Sequence, residues 1–298
     1  MSVKTKEWTG RTGGSRFGQK ALFFLFHFHS VTVGYAILAL VVPFYMLFAR
    51  KGYIAIYRYF RRQHGYSVFK AFCKTYQNHF VFGQCMLDRF AIYAGRRHFL
   101  KVEITGNEHF LRLLDSDKGF VAASSHIGNF ELAGYLMRQD KKRIYSIVYG
   151  EEAKELMAKR IAALGLNNIF TVPVANDMSH IFALNEALQN GDIVSMPCDR
   201  IFGSAKTVEC DFLNGKADFP QGAFALAAMF DVAVVTIFVM KESLSKYHIY
   251  VHPLSIENYE QLNKREKISR LAQSFAWELE NMVRKYPEQW FNFYNFWK

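Results

Sequence analysis

The chain has 298 residues, 51% of them hydrophobic, with 29 Phe and 16 Tyr but only 6 Pro. That composition excludes a disordered or collagen-like protein and supplies enough apolar surface for a large core. The formal charge of +11 is uneven: residues 1–101 carry 16 Lys/Arg against Glu7 and Asp88, whereas the remainder carries 21 against 24 acids. A basic arm on a near-neutral body suits an anionic surface (phospholipid, nucleic acid or acidic protein) or is a solvated basic face. Four cysteines without CxxC spacing argue against a zinc ribbon and a disulfide framework, and fit a reducing compartment.

In chain order, the glycines of WTGRTGGSRFG precede no strand–helix unit and read as a flexible arm rather than a phosphate loop. Val31–Phe48 follows, 18 residues without a charge. As a helix it spans roughly 27 Å, close to a hydrocarbon core of about 30 Å. Pro43 is expected to kink or break it. Basic residues flank both sides, which the positive-inside rule does not favour for a simple span. Four placements fit: an interfacial helix, a segment that dips into the membrane and returns, a single span, or a buried core helix. A cleaved signal peptide is not expected, because the apolar stretch starts late and no small-residue cleavage site follows it.

From residue 99 onward strands and helices alternate. Strands are predicted over 120–124, 144–149, 169–174, 193–196, 232–240 and 247–252. Helices are predicted over 130–137, 151–164, 178–189, 221–230 and 264–285. Asp177 is a suitable N-cap for the third helix and Gly191 its stop. VAVVTIFVM, at 232–240, has the near-continuous apolar character of a strand buried on both faces. The fold class is therefore α/β, a mostly parallel central sheet flanked by helices. The division expected is a membrane-associating helical arm over 1–101 and a catalytic domain over 102–298.

Chemistry in such sheets gathers beyond the carboxyl ends of strands. There the chain reads SSHIGNFE, with His126 after the strand and Glu131 in the first helical turn. A His with an acid five places on also occurs as His98/Glu103 and His252/Glu257. Only His126 stands at a strand-to-helix junction. Gly128 there would let another molecule approach the backbone, and unpaired N–H groups at the helix start would suit an oxyanion. A His beside a carboxylate can act as general base; it can equally be a structural residue capping the helix. No Gly-x-Ser-x-Gly elbow accompanies it, so the nucleophile would be an external hydroxyl or amine attacking an acyl donor. There is no HExxH and no Cys/His cluster, so no metal is expected, although His126, Glu131 and Asp199 together offer ligand atoms. Nothing resembles a nucleic-acid recognition signature.

VAASSHIGNFELAG resembles the HxxxxE/D block of the lysophospholipid acyltransferase superfamily, and more closely that of the lipid A biosynthesis (lauroyl/myristoyl) acyltransferases. MPCDRIFGS, VECDFLNGKADFPQGAFALAAMFDVAVVTIFV and YPEQWFNFYNFWK resemble three further blocks of that family, in the same order. The resemblance implies a glycerolipid-acyltransferase-like fold and transfer of a fatty acyl group from an acyl thioester, on acyl carrier protein or coenzyme A, to a lipid acceptor. It implies His126 as general base with Glu131 as its partner. It places Asp199 and Arg160 at substrate-binding positions, and requires no cofactor beyond the thioester co-substrate. Arg200, beside Asp199, has no counterpart in the family blocks and is expected either to bind a phosphate or to pair with Asp199; Gly128 and Asn129, in the turn after His126, complete the candidate substrate-binding residues. It also implies the cytoplasmic face of a bacterial inner membrane. One departure bears on the acceptor: family members follow PEQ with a His/Arg-rich run, whereas here only Lys298 remains basic. The altered tail suits an acceptor other than lipid A, such as a polyene or amino-acid lipid. A non-catalytic lipid-binding protein is the reading from a different class.

Overall fold

The computed structural model describes residues 31–96, 99–137, 139–149, 165–174, 179–201 and 206–297. The predicted helix over 151–164, the Asp177 cap and the glycine-containing arm lie outside these residues.

Three helices lead in: α1 (Val31–Phe48), α2 (Arg50–Arg62) and α3 (Val68–Tyr93). Helix α1 runs through Pro43 without the break that a proline can impose. The ring removes the N–H that would bond to the Ala39 carbonyl one turn earlier. The Tyr76 hydroxyl of α3 donates to that carbonyl instead, at 3.1 Å. Close contact of the two helices depends on Gly83, where an added Cβ would lie 2.6 Å from Leu38.

Helix α1 is the one described helix long and apolar enough to cross a membrane. Only 28% of that segment is buried; Leu40, Phe44, Leu47 and Phe48 face outward, as do Val68 and Phe69 at the start of α3. A core helix of a globular protein would bury its apolar face, so among the described residues this exposure speaks for the membrane-associated placements over the buried-core one.

The body is built on β1 (Lys101–Thr105), β2 (Phe120–Ser124), β3 (Ile144–Val148), β4 (Ile169–Pro173), β5 (Ile193–Pro197), β8 (Val234–Lys241) and β9 (Lys246–Pro253). They form one seven-stranded sheet in the order β1-β9-β8-β2-β5-β3-β4. Every pairing is parallel except β8 with β9. Strand β8 is buried at all eight positions, as its unbroken apolar run requires. Helices α4 (Asn107–Asp115), the short α5 (Ala133–Leu136), α6 (Ser179–Gln189), α7 (Gly222–Phe230) and α8 (Lys264–Lys285) complete the fold. Gly191, predicted to stop α6, has φ +80°. Asn263 and Glu266 start α8 with a reciprocal capping box.

The hairpin β6 (Thr207–Phe212) to β7 (Gly215–Pro220) stands apart from the sheet. Its two turn residues, Leu213 and Asn214, both have positive φ. A leucine in that region costs about 1–2 kcal/mol. Two features offset the cost: Leu213 is fully buried, and its N–H donates to Glu280 of α8 at 2.7 Å.

A buried polar cluster ties the leading helices to the sheet. Lys241, the last residue of β8, pairs with Asp88 of α3 at 2.6 Å, both side chains almost fully enclosed. Asp88 also accepts from Tyr247 and from Tyr35 of α1. Removing one member of a buried pair leaves an uncompensated charge and costs about 3–5 kcal/mol. Lys241→Met is therefore expected to lower the unfolding free energy by about that amount, read from the shift in denaturation midpoint. The double variant with Asp88→Asn is expected to recover much of the loss. Equal stability of wild type and Lys241→Met would refute the coupling.

Candidate active site

Strands β2 and β5 are parallel neighbours with Ser124 opposite Pro197. Their exits therefore run side by side, and the residues two places beyond each end meet. These are His126 and Asp199. The imidazole Nδ1 lies 2.7 Å from Asp199 Oδ1, and the His126 backbone N–H donates to Oδ2 at 2.8 Å. Asp199 is fixed further by the indole of the buried Trp290, at 3.4 Å, and by the Tyr294 hydroxyl on its carbonyl, at 3.2 Å. Trp290 pairs in turn with Ile127 through an isolated bridge, and the Phe291 N–H donates to the His126 carbonyl. The C-terminal aromatic segment thus braces the turn that carries His126.

The geometry fixes a tautomer. A charged Asp199 next to Nδ1 places the ring proton there and leaves the lone pair on Nε2. Among the described residues no hydrogen bond ends on Nε2, and the side chain is 16% exposed. Burial pushes the His126 pKa below its ordinary value of 6.5, against the upward pull of Asp199. Burial works the other way on Asp199, but the adjacent imidazole, its hydrogen bonds and the Arg200 charge hold that carboxyl below the usual range. Near neutral pH the pair is an uncharged imidazole beside a carboxylate, the form a general base needs.

Glu131, predicted as the partner of His126, is placed differently. It lies in a 3-10 turn over Phe130–Leu132 and pairs with Arg89 of α3 at 2.5 Å. Its charge favours the protonated imidazole through space, less strongly than that of Asp199. The hydrogen-bonding carboxylate on His126 is Asp199. The signal for this was topological: two strand exits in register, with no fixed sequence spacing between them.

Gly128 and Asn129 have their donors committed within the protein. Gly128, at φ +58°, stands where a Cβ would be 2.1 Å from the Val239 carbonyl of β8. The molecule approaching that backbone is the protein's own strand. The Gly128 N–H donates to Gln289 and the Asn129 N–H to Val239. The buried Asn129 side chain accepts from Arg89, and donates to the Cys85 carbonyl and the Tyr247 hydroxyl. Both residues hold the turn, and these two N–H groups are not the oxyanion donors the sequence suggested. Arg200 donates to the Phe291 carbonyl at 2.9 Å, and its Nε is buried without a hydrogen-bond partner among the described residues. Arg160 lies outside those residues.

The triad of His126, Glu131 and Asp199 is not gathered round a common point, since Glu131 faces Arg89 and Asp199 faces His126. The one grouping of metal-ligating atoms among the described residues is Glu103, Glu242 and His248. Lys246 Nζ sits between its two carboxylates at 2.9 and 3.1 Å, filling the cation position with the protein's own ammonium.

A mostly parallel sheet with a neutral histidine at one strand exit, oriented by an aspartate from the next, is a frame for proton-abstracting transfer chemistry. The sequence profile of the bacterial lipid A biosynthesis acyltransferases matches residues 72–298. The chain belongs to that family, and is therefore an acyltransferase of lipid biosynthesis acting on a lipid acceptor. The 1-acyl-sn-glycerophosphate (LPA) acyltransferase PlsC from Thermotoga maritima is similar over 84% of this chain and 98% of its own, at 14% identity and a TM-score of 0.38. No curated protein matches this sequence at a significant level.

Proposed function

We propose that the protein transfers a fatty acyl group from an acyl thioester, carried by acyl carrier protein or coenzyme A, to a hydroxyl or amine of a lipid acceptor, with His126 as general base. Nε2 takes the proton from the acceptor as its oxygen or nitrogen attacks the thioester carbonyl. The carbon–sulfur bond then breaks, and the imidazolium returns the proton to the departing thiolate. Asp199 stabilises the imidazolium and holds the ring in the reactive tautomer. Glu131, through its pair with Arg89, steadies the turn that carries His126. The observation that carries this reading is the 2.7 Å contact from Asp199 to Nδ1, which leaves Nε2 available.

The outward apolar face of α1 and the basic surplus in residues 1–101 support attachment of that arm to an anionic lipid surface, at the cytoplasmic face of a bacterial inner membrane. The near-absence of basic residues after PEQ favours an acceptor other than a bisphosphorylated sugar lipid, with a polyene or amino-acid lipid as the alternative.

The test is to incubate the purified protein with a bacterial lipid extract and either acyl carrier protein or coenzyme A thioesters. Free thiol and the masses of lipid products are followed together. Thiol release matched by a lipid one acyl group heavier is expected. Binding of lipid without thiol release from any donor would favour a non-catalytic lipid-binding protein.

A further inference from the structure

From the contacts around the C-terminal tail we infer that Arg58 and Arg62, one helical turn apart on α2, form a binding subsite for a phosphoryl group of a substrate, a role that rests on the proposed acyl transfer. The two arginines line a cavity of about 180 Å³ together with Asn292, Tyr294 and Trp297. Neither guanidinium makes an ion pair among the described residues. Two positive charges therefore border one small cavity whose described lining contains no acid.

One wall residue of that cavity reaches the catalytic pair. Tyr294, part of its wall, donates to the carbonyl of Asp199, whose carboxylate holds His126. Tyr59, also in the wall, is held in place: its ring stacks on Trp297 and its hydroxyl donates to the Pro287 carbonyl. Side chains one turn apart on a helix stand about 5–6 Å from each other at Cβ. Two guanidinium forks at that spacing converge on the oxygens of one phosphoryl group, which carries more charge and more acceptor positions than a carboxylate. The space holds a few water volumes, enough for a head group and too little for a long acyl chain.

The position of the pair also answers the departure in the tail. Tyr294, Asn295 and Phe296 stand where the family resemblance leads one to expect basic side chains. Two arginines border those tail residues from α2, outside the span 72–298 matched by the family profile: enough charge for one phosphoryl group, and not the His/Arg-rich run that a bisphosphorylated sugar lipid would meet.

A phosphoryl group reaches the site from either reactant, the thioester carrier or the lipid acceptor. Binding to detergent-solubilised full-length protein separates the two by calorimetry. One arm compares coenzyme A with pantetheine; the other compares a short-chain lysophosphatidate with the matching monoacylglycerol. In one arm the phosphorylated probe is expected to bind at least about tenfold more tightly than its phosphate-free counterpart. Arg58→Gln with Arg62→Gln should erase that preference, and Arg58→Lys with Arg62→Lys should restore part of it. The arm showing the effect identifies the source. Equal binding of both members of each pair, no binding of any probe, or an unchanged preference in the Gln variant would overturn the inference. His126→Ala is expected to keep the binding preference while losing transfer, so failure of the subsite and failure of the catalytic reading give different results.

Discussion

His126→Ala is expected to lower the rate of acyl transfer by about four orders of magnitude, with donor and acceptor binding nearly unchanged. General acid–base groups contribute typically 10²–10⁴-fold, and no other described side chain is bonded to Asp199 in a way that would replace the imidazole. The backbone of the turn should survive, because it is held by main-chain groups: Phe291 N–H on the His126 carbonyl, and Gly128 N–H on Gln289. The lost imidazole leaves Asp199 with its backbone and indole donors, so some loss of stability accompanies the change. His126→Gln, which keeps a polar side chain there, serves as the second variant. Thiol release and near-ultraviolet circular dichroism are measured on both. Folded variants that retain more than a tenth of wild-type transfer would contradict the assignment.

Asp199→Asn is expected to cost about 10³-fold in kcat with little change in KM. The substitution keeps shape and volume but changes which ring nitrogen carries the proton. An asparagine oxygen can still accept from the His126 N–H, which turns its amide donor toward Nδ1. The proton then moves to Nε2, the atom that must be bare to receive one. Glu131→Gln makes the informative comparison. Glu131 bonds to Arg89, so its loss loosens the turn without reversing the tautomer, and its effect on kcat is expected to be smaller. A larger effect at Glu131 than at Asp199 would show that the sequence-local pair outweighs the one the sheet assembles.

That contrast marks how much of the site the sequence carried. His126 was legible because a short apolar run, a histidine and a glycine mark a strand exit entering a helix. The weight placed on Glu131 followed from spacing, and spacing reports local geometry only. The Asp199 contact depends on β2 and β5 being adjacent and in register, though His126 and Asp199 are 73 residues apart and the chain forms β3 and β4 between those two strands. Chain order does not specify which strands become neighbours. Gly128 and Asn129 were legible as special positions, but not as to what approaches them. Only the folded sheet shows that the close neighbour is Val239.

The strands of the body were readable because buried parallel strands are short, apolar and β-branched, and the closing helix α8 because its apolar face repeats with helical period. The hairpin β6–β7 was not, because its turn places a leucine in a backbone region that leucine disfavours. Its support comes from burial and from Glu280, 67 residues away. Pro43 is the same lesson in reverse. A local rule foretells a break, and a hydroxyl from another helix takes up the freed carbonyl.

The state of the His126 ring itself is the sharpest point of the account. Nitrogen-15 NMR of histidine-labelled protein, titrated from pH 8 to pH 4, reports both the tautomer and the pKa. The expected spectrum shows a neutral ring protonated on Nδ1, becoming doubly protonated only below the ordinary value of 6.5, because burial disfavours its charged form. Transfer should fade over the same interval as the base fills. A neutral ring protonated on Nε2, or a ring already charged above pH 6.5, would leave no lone pair facing the acceptor and would contradict the mechanism.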